Sequence, residues 1–280
     1  MIFISTAGKV GAEAARLLAG RGVPVRVLVR DEGKATELAR AGVDVVRGDL
    51  GDPATVDAAV KGASAVVLVS PAVPAQELAV VDSAVRAGVD HVVKITSKAS
   101  ADSPIARRRD QTEIENGLIA SGLGCTLLRN NAYMQNFLVL APGIVKADGF
   151  GSSAGDGRVG MVDTRDVAAV AAEIAAAPAP HRGKTYWLTG PESLSYADAA
   201  AVLTKVLGRR IAYRPLTFEE QKRAMVDAGV PEVVAGMNAQ ALSLFAEGDS
   251  DWLTDDVPSI VGRRARSFEA FVTDHAAAFS

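Results

Sequence analysis

Sulfur and imidazole are scarce in this chain of 280 residues, which holds one cysteine, Cys125, and three histidines, His91, His181 and His275. A single thiol excludes a disulfide scaffold and a cysteine-rich metal site, and a reducing cytoplasm is the expected compartment. The histidines are scattered without metal-ligand spacing, so no zinc centre is expected. Charge of one sign is also missing. Thirty Lys and Arg stand against 33 Asp and Glu, for a net charge of −3, which offers no basic field for nucleic acid. No apolar run approaches the roughly 20 residues that a membrane helix needs. Met1-Ile2-Phe3-Ile4 is short and lacks a basic flank, so no targeting segment is expected. The apolar residues, 49% of the chain, are therefore assigned to a buried core.

What is present is an alternation. Ile2–Ile4, Val25–Val29, Val43–Val46, Ala65–Val69, His91–Ile95 and Cys125–Leu128 read as strands, aliphatic or β-branched and bounded by turn signals. Between them Val10–Ala19, Gly33–Ala41, Pro53–Val60, Glu77–Ala87 and Ile105–Ser121 read as helices. Apolar strands without a polar face belong to a sheet covered on both sides. Strand–helix alternation with short links predicts an α/β fold, a Rossmann-type doubly wound parallel sheet. The second half is less regular. Gly149–Gly157 reads as a loop or short hairpin, followed by a helix over Thr164–Ala177. A strand at Thr185–Leu188, a helix at Tyr196–Leu207 ending on Gly208, a strand at Ile211–Leu216 and helices at Phe218–Ala228 and Val233–Ala246 complete the chain. The expected division is a nucleotide-binding core over residues 1–140, with 163–190 returning to it. A smaller α/β substrate lobe takes 141–162 and 191–280.

The first strand runs into Ser5-Thr6-Ala7-Gly8-Lys9-Val10-Gly11 and then a helix. At such a turn a pyrophosphate can approach the N–H groups and the positive end of the helix, where glycine leaves the path open. Gly8 and Gly11 occupy the second and third positions of a G-x-x-G-x-x-G pattern. Ser5 replaces the first glycine, and its side chain is expected to crowd the phosphate path. Arg30 closes the second strand, where an acidic residue would select the ribose 2′-hydroxyl of NAD; an arginine there suits the 2′-phosphate of NADP(H). Asp49 and Leu50, after the third strand, are candidates for the adenine edge. Val69-Ser70-Pro71, after the fourth, borders the cofactor, and Thr96 and Ser97 close the fifth at the same edge of the sheet.

With these residues in place the chain resembles the NmrA-like atypical short-chain dehydrogenases. The resemblance runs through the modified glycine motif, Arg30, Arg47-Gly48-Asp49-Leu50, the run Leu128–Asn136, Val162–Val167, Phe218-Glu219-Glu220 and Ala228-Gly229-Val230-Pro231. The last looks like the quinone-reductase and triphenylmethane-dye-reductase branch. The resemblance implies that Tyr133 and Asn136 lie near the nicotinamide, and that Asn130, Met134 and Phe137 form the substrate wall. Gln111 stands where relatives often carry His or Lys, one helical turn before a matching Glu115. A glutamine can orient a carbonyl but supplies no proton readily.

None of the four tyrosines has lysine four residues later, so the Tyr-x-x-x-Lys device of ordinary short-chain dehydrogenases is missing. The function expected is NADPH-dependent hydride transfer to a bulky conjugated acceptor, a quinone or polyaromatic. Tyr133 and Gln111 are its candidate catalytic residues. A non-catalytic NADP(H) sensor and an isomerase or lyase on the same scaffold are the alternatives. The partners expected are a small aromatic or quinone molecule and, as one option, a second copy of the chain; neither nucleic acid nor membrane is expected.

Overall fold

The computed structural model describes the whole chain, Met1–Ser280. Six strands come first: β1 (Ile2–Ile4), β2 (Val25–Val29), β3 (Asp44–Arg47), β4 (Ala65–Leu68), β5 (His91–Ser97) and β6 (Gly124–Asn130). The helices between them are α1 (Lys9–Gly20), α2 (Glu32–Arg40), α3 (Pro53–Val60), α4 (Pro74–Arg86) and α5 (Ala106–Ala120). The chain then leaves the sheet through α6 (Phe137–Ala147), β7 (Gly149–Ser152) and β8 (Arg158–Val159), and returns as α7 (Thr164–Ala176) and β9 (Thr185–Leu188). It ends with β10 (Leu194–Ser195), α8 (Tyr196–Leu207), β11 (Ala212–Pro215), α9 (Phe218–Asp227), α10 (Glu232–Ala246), α11 (Asp256–Val261) and α12 (Phe268–Asp274).

Two compact units result. The first is Met1–Asn130 with Thr164–Trp187 and Ser259–Gly262; the second is Asn131–Asp163, Leu188–Pro258 and Arg263–Ser280. In the first, seven strands run in the order β3-β2-β1-β4-β5-β6-β9, and every pair from β3 to β6 is parallel. The chain winds outward from β1 to one side and then, from β4, to the other, which makes a Rossmann-type doubly wound sheet. The order reverses between β1 and β4, where ligands bind in sheets of this kind.

The core of this unit is aliphatic, with Phe3 its one large aromatic among Val, Leu and Ala side chains. Small residues let helices approach closely. Ala14, Ala15 and Leu18 form the buried stripe of α1, and α7 buries nearly its whole length, from Val167 to Ala175. Side-chain caps fix where helices begin: Asp31 accepts from the Lys34 N–H at the start of α2, and Asp52 accepts from Ala54 at the start of α3, just before Pro53.

The second unit is built on rings. Phe137 meets Phe268 at 4.8 Å, Tyr196 at 5.4 Å and Phe150 at 5.5 Å between centroids. Two capping boxes, Ser195 with Asp198 and Thr217 with Glu220, start α8 and α9. Gly208 ends α8 with φ of 66°, a left-handed position that glycine takes without strain.

One expectation is corrected here, and one helix lies where the sequence reading named no element. Gly149–Gly157 is not a hairpin: β7 pairs in parallel with β11, and β8 pairs antiparallel with β10. The residues before it form α6, a helix that runs through Pro142 and Gly143, the residue types least suited to a helix interior. Burial of Phe137, Ala141 and Ile144 on one face outweighs the poor helical propensity of Pro142 and Gly143.

Candidate cofactor and active site

Within the first unit, the β1–α1 loop meets the turn after β4 through side-chain hydroxyls. Ser5 is fully buried; its hydroxyl donates to the Val69 carbonyl at 2.7 Å and accepts from the Val69 N–H at 2.8 Å. Thr6 donates to the same carbonyl at 2.9 Å. The Ser5 side chain is therefore turned into the protein, away from any phosphate approaching α1. This corrects the expectation of crowding: a side chain with two backbone partners joins the two loops that flank the switch point.

The start of α1 fits an anion. Gly8 is its N-cap and makes no side-chain cap bond, and no acidic residue occupies the first turn. The leading N–H groups and the positive helix end thus have no competing carboxylate. The two glycines differ in role. A Cβ on Gly11 would collide with the Thr6 carbonyl oxygen, so the turn itself requires glycine there. A Cβ on Gly8 would meet nothing nearer than the Thr6 hydroxyl at 3.9 Å, so the fold leaves that space open. Ala7, Gly8, Lys9 and Ala12 also line a cavity of about 210 Å³ that extends to Arg16, Lys34, Glu37 and Leu38, with the Glu37 carboxylate paired to Arg16 at 2.6 Å. Val10 is buried beneath this turn.

Arg30 stands 77% exposed at the end of β2 and donates to Asp49 Oδ2 at 3.1 Å. Asp49 Oδ1 accepts from the Gly51 N–H at 2.7 Å, and this bond, followed by that to Arg30, holds its carboxyl below the ordinary range. Asp49 thus orients the guanidinium, and most of the fork faces solvent, where a phosphate can take it. Leu50 behind it is buried in the core.

Further along the carboxyl edge, after β5 and β6, lies a polar cluster. Thr96 donates to Glu115 Oε1 at 2.9 Å, and Arg129 reaches both Glu115 oxygens, the closer at 2.5 Å. The Arg129 guanidinium also lies 5.1 Å from the centre of the Trp187 ring. Asn130 Nδ2 donates to the Thr96 carbonyl at 2.8 Å. Gln111 sits one turn before Glu115 on the buried face of α5. Gln111 Oε1 and Ser97 Oγ are buried polar atoms without a protein partner. Such atoms are few in native proteins, and an ordered water or a ligand at this edge of the sheet would complete their bonding.

In the second unit, Tyr133 is half-buried and bridges in parallel to Val162, just before a short 3₁₀ turn over Met134–Asn136. Gln135 Nε2 holds this turn to Asp163 Oδ1 at 2.8 Å. Asn136 is exposed. Met134 and Phe137 are both about 1% exposed and belong to the aromatic core, so their expected place in a substrate wall is corrected to packing. Asn130 is likewise buried, with its amide bonded across to β5.

Sequence reasoning missed the residues beneath the turn after β4. Lys94, in the middle of β5, and Glu77, in the first turn of α4, are both fully buried and lie 2.5 Å apart. The signal was a lysine inside an apolar strand of a sheet covered on both faces, which demands a buried counter-charge.

A doubly wound sheet, an uncapped glycine turn at its switch point and an exposed arginine closing β2 together define a dinucleotide-binding fold. The NmrA-like family model matches residues 1–268, and the chain belongs to that family. The chain is 38% identical over 287 aligned positions to an NAD(P)H azoreductase of Xenophilus azovorans, covering 100% of this chain and 99% of that one. Among solved structures it resembles the NADPH complex of the NADPH-dependent quinone oxidoreductase QOR2 of Escherichia coli, with a TM-score of 0.88, 29% identity and coverage of 99% and 100%. The NADP(H) complex of the triphenylmethane reductase of Citrobacter sp. superposes with a TM-score of 0.86 at 27% identity, again over 99% and 100% of the two chains. No helix is long and apolar enough to cross a membrane, and no group of three or more His, Cys, Asp and Glu residues is arranged to hold a metal ion.

Proposed function

We propose that this protein binds NADPH and catalyses reduction of an electron-poor conjugated acceptor, of the quinone or azo-aromatic type. The observation that carries the proposal is the start of α1. Its glycine N-cap is open, its first turn lacks acid, and the loop is tied by hydroxyls to the opposite wall of the switch point. The full-length similarity to an NAD(P)H azoreductase supports the same reading.

Bound there, the nicotinamide would supply a hydride, and the acceptor would gain that hydride and one proton. The chain's own residues bind and orient. The N–H groups at Gly8 to Gly11 receive the pyrophosphate, with Lys9 beside them. Arg30, held by Asp49, receives the 2′-phosphate. Val69, Ser70 and Pro71 border the cofactor on the β4 side. Ser97 Oγ and Gln111 Oε1 offer acceptors to a ligand N–H or O–H, and Thr96 fixes Glu115 beside them. Tyr133 is proposed to orient an acceptor oxygen and Asn136 to touch the cofactor, with the second unit carrying the acceptor. A conjugated acceptor spreads the incoming charge over its rings and takes its proton from water, so the missing Tyr–Lys pair is no obstacle. We place the protein in the cytoplasm and allow a homodimer, which light scattering would test.

The deciding experiment is steady-state NADPH oxidation with a panel of quinones and azo dyes, beside calorimetric binding of NADPH. Turnover with either acceptor class supports the reading. Tight binding without turnover on any acceptor would replace it with the sensor alternative.

A further inference from the structure

Lys94 and Glu77 play no part in the chemistry described above, yet they form an ion pair with neither side chain exposed. Burial in this setting pushes the Lys94 ammonium below its ordinary range, opposed by the Glu77 charge. Such a pair is a poor way to gain stability, since apolar side chains of similar volume fill the same space at equal or lower cost. What apolar side chains cannot do is present a carboxylate oxygen on the far side. Here that oxygen is used. Lys94 Nζ donates to the Ile95 carbonyl at 2.8 Å and lies against Glu77 Oε2, while Glu77 Oε1 accepts from the Ser70 hydroxyl at 2.6 Å. With its hydrogen committed to Glu77, the Ser70 oxygen accepts from the Ala72 N–H at 3.2 Å.

This chain of contacts ends in a strained turn. Ala72 has φ of 64°, a left-handed conformation that costs a residue with a Cβ about 1–2 kcal/mol. The same turn carries the Val69 carbonyl, on which the Ser5 and Thr6 hydroxyls of the glycine loop converge. One buried charge pair thereby sets the β4–α4 turn, and through Val69 the turn meets the loop that receives the pyrophosphate.

We infer that Lys94 and Glu77 are positioning residues for the cofactor, acting through Ser70 to hold the Val69–Ala72 turn in its binding conformation. The inference rests on the proposed NADPH site, and its test separates the two. Three variants are compared with the parent protein: Ser70→Ala, Glu77→Gln, and the double variant Lys94→Met/Glu77→Leu. The readouts are NADPH affinity by calorimetry, thermal midpoint, and amide hydrogen exchange at Ala72 in cofactor-free protein.

Glu77→Gln keeps an acceptor for Ser70 but leaves Lys94 without its counter-charge. It should lower the thermal midpoint most and weaken NADPH least, within about threefold. The double variant restores a neutral, filled interior and removes the acceptor. It should melt near the parent while binding NADPH about tenfold more weakly, one hydrogen bond's worth. Ser70→Ala should show the same weakening, with faster Ala72 exchange in both.

The affinity order thus runs opposite to the stability order, which a merely structural pair would not produce. Affinity that tracks the thermal midpoint, or Ser70→Ala with parental affinity and parental exchange, would overturn the inference. Should the double variant fail to fold, Ala72 exchange in cofactor-free Glu77→Leu decides: faster exchange than in Glu77→Gln supports the inference, and equal exchange in the two overturns it, because neither variant alters a residue that borders the cofactor. A parent that binds no NADPH would sink the cofactor reading, while Ala72 exchange would still report whether the pair holds the turn.

Discussion

At the scale of single residues, a side chain's partners decide its role more than its position in a motif. Ser5 occupies a glycine position, yet its hydroxyl makes two bonds to Val69 in a fully buried setting. Ser5→Gly should therefore destabilise the fold by about 1–3 kcal/mol, the cost of orphaning a buried backbone group. Urea unfolding checks this, and an unchanged midpoint would return Ser5 to the phosphate path. Arg30 has the opposite character, exposed and steered by one carboxylate. Arg30→Ala should cost NADPH about 1.5–3 kcal/mol of binding and NADH little, because only the former offers a 2′-phosphate to a charge-assisted bond. Equal losses in calorimetry would remove Arg30 from cofactor selection. For Tyr133 the expectation is positioning: Tyr133→Phe should keep most single-turnover hydride transfer to a quinone, and Tyr133→Ala should lose far more. If Phe proved as damaging as Ala, the hydroxyl itself would be the proton donor.

At the scale of elements, the two glycines that open α1 separate fold from function. A Cβ at Gly11 collides with the Thr6 carbonyl, whereas one at Gly8 enters open space. Gly11→Ala should therefore lower stability by about 1–3 kcal/mol through overpacking, and disturb binding as a consequence. Gly8→Val should leave far-ultraviolet dichroism and the thermal midpoint close to parental while abolishing NADPH binding, because its branched side chain stands where the phosphates approach. Normal affinity in Gly8→Val would mean that the start of α1 does not receive the cofactor.

At the scale of the whole molecule, stability should depend on acid through one buried imidazole. His91 Nε2 lies 2.9 Å from the Thr126 hydroxyl, and that hydroxyl donates its own hydrogen to the His181 carbonyl. Nε2 must therefore carry the proton, which leaves Nδ1 bare and buried. Desolvation, followed by the nearby Arg182 and His181, pushes His91 down to about 4 from 6.5. Between those values the unfolded chain binds a proton that the folded chain refuses. Folding stability should fall as pH drops from about 6.5 and level off below about 4, a loss on the order of 3 kcal/mol. Urea midpoints across that range should show a shallower acid limb in His91→Gln than in the parent. An identical limb would assign acid sensitivity to the carboxylates instead.

The sequence by itself determined the first unit's architecture. Apolar strands alternating with Ala-rich helices leave a parallel sheet as the economical way to bury both, and the strand–glycine–helix start marks its switch point from local residues alone. The placement of Arg30 and Asp49 at the ends of β2 and β3 was legible for the same reason, since each lies where its own strand ends. Tertiary structure decided what depends on partners distant in sequence. It turned Ser5 toward Val69, gave Met134 and Phe137 to an aromatic core, and carried α6 through Pro142. It also brought Lys94 to Glu77, and Glu77 to the turn at Ser70. Local propensity is worth a few tenths of a kcal/mol for most residues, whereas burying an apolar face is worth several and leaving a buried charge without its partner costs several. The sequence therefore governs where elements form, and the packed interior governs what each side chain in them does.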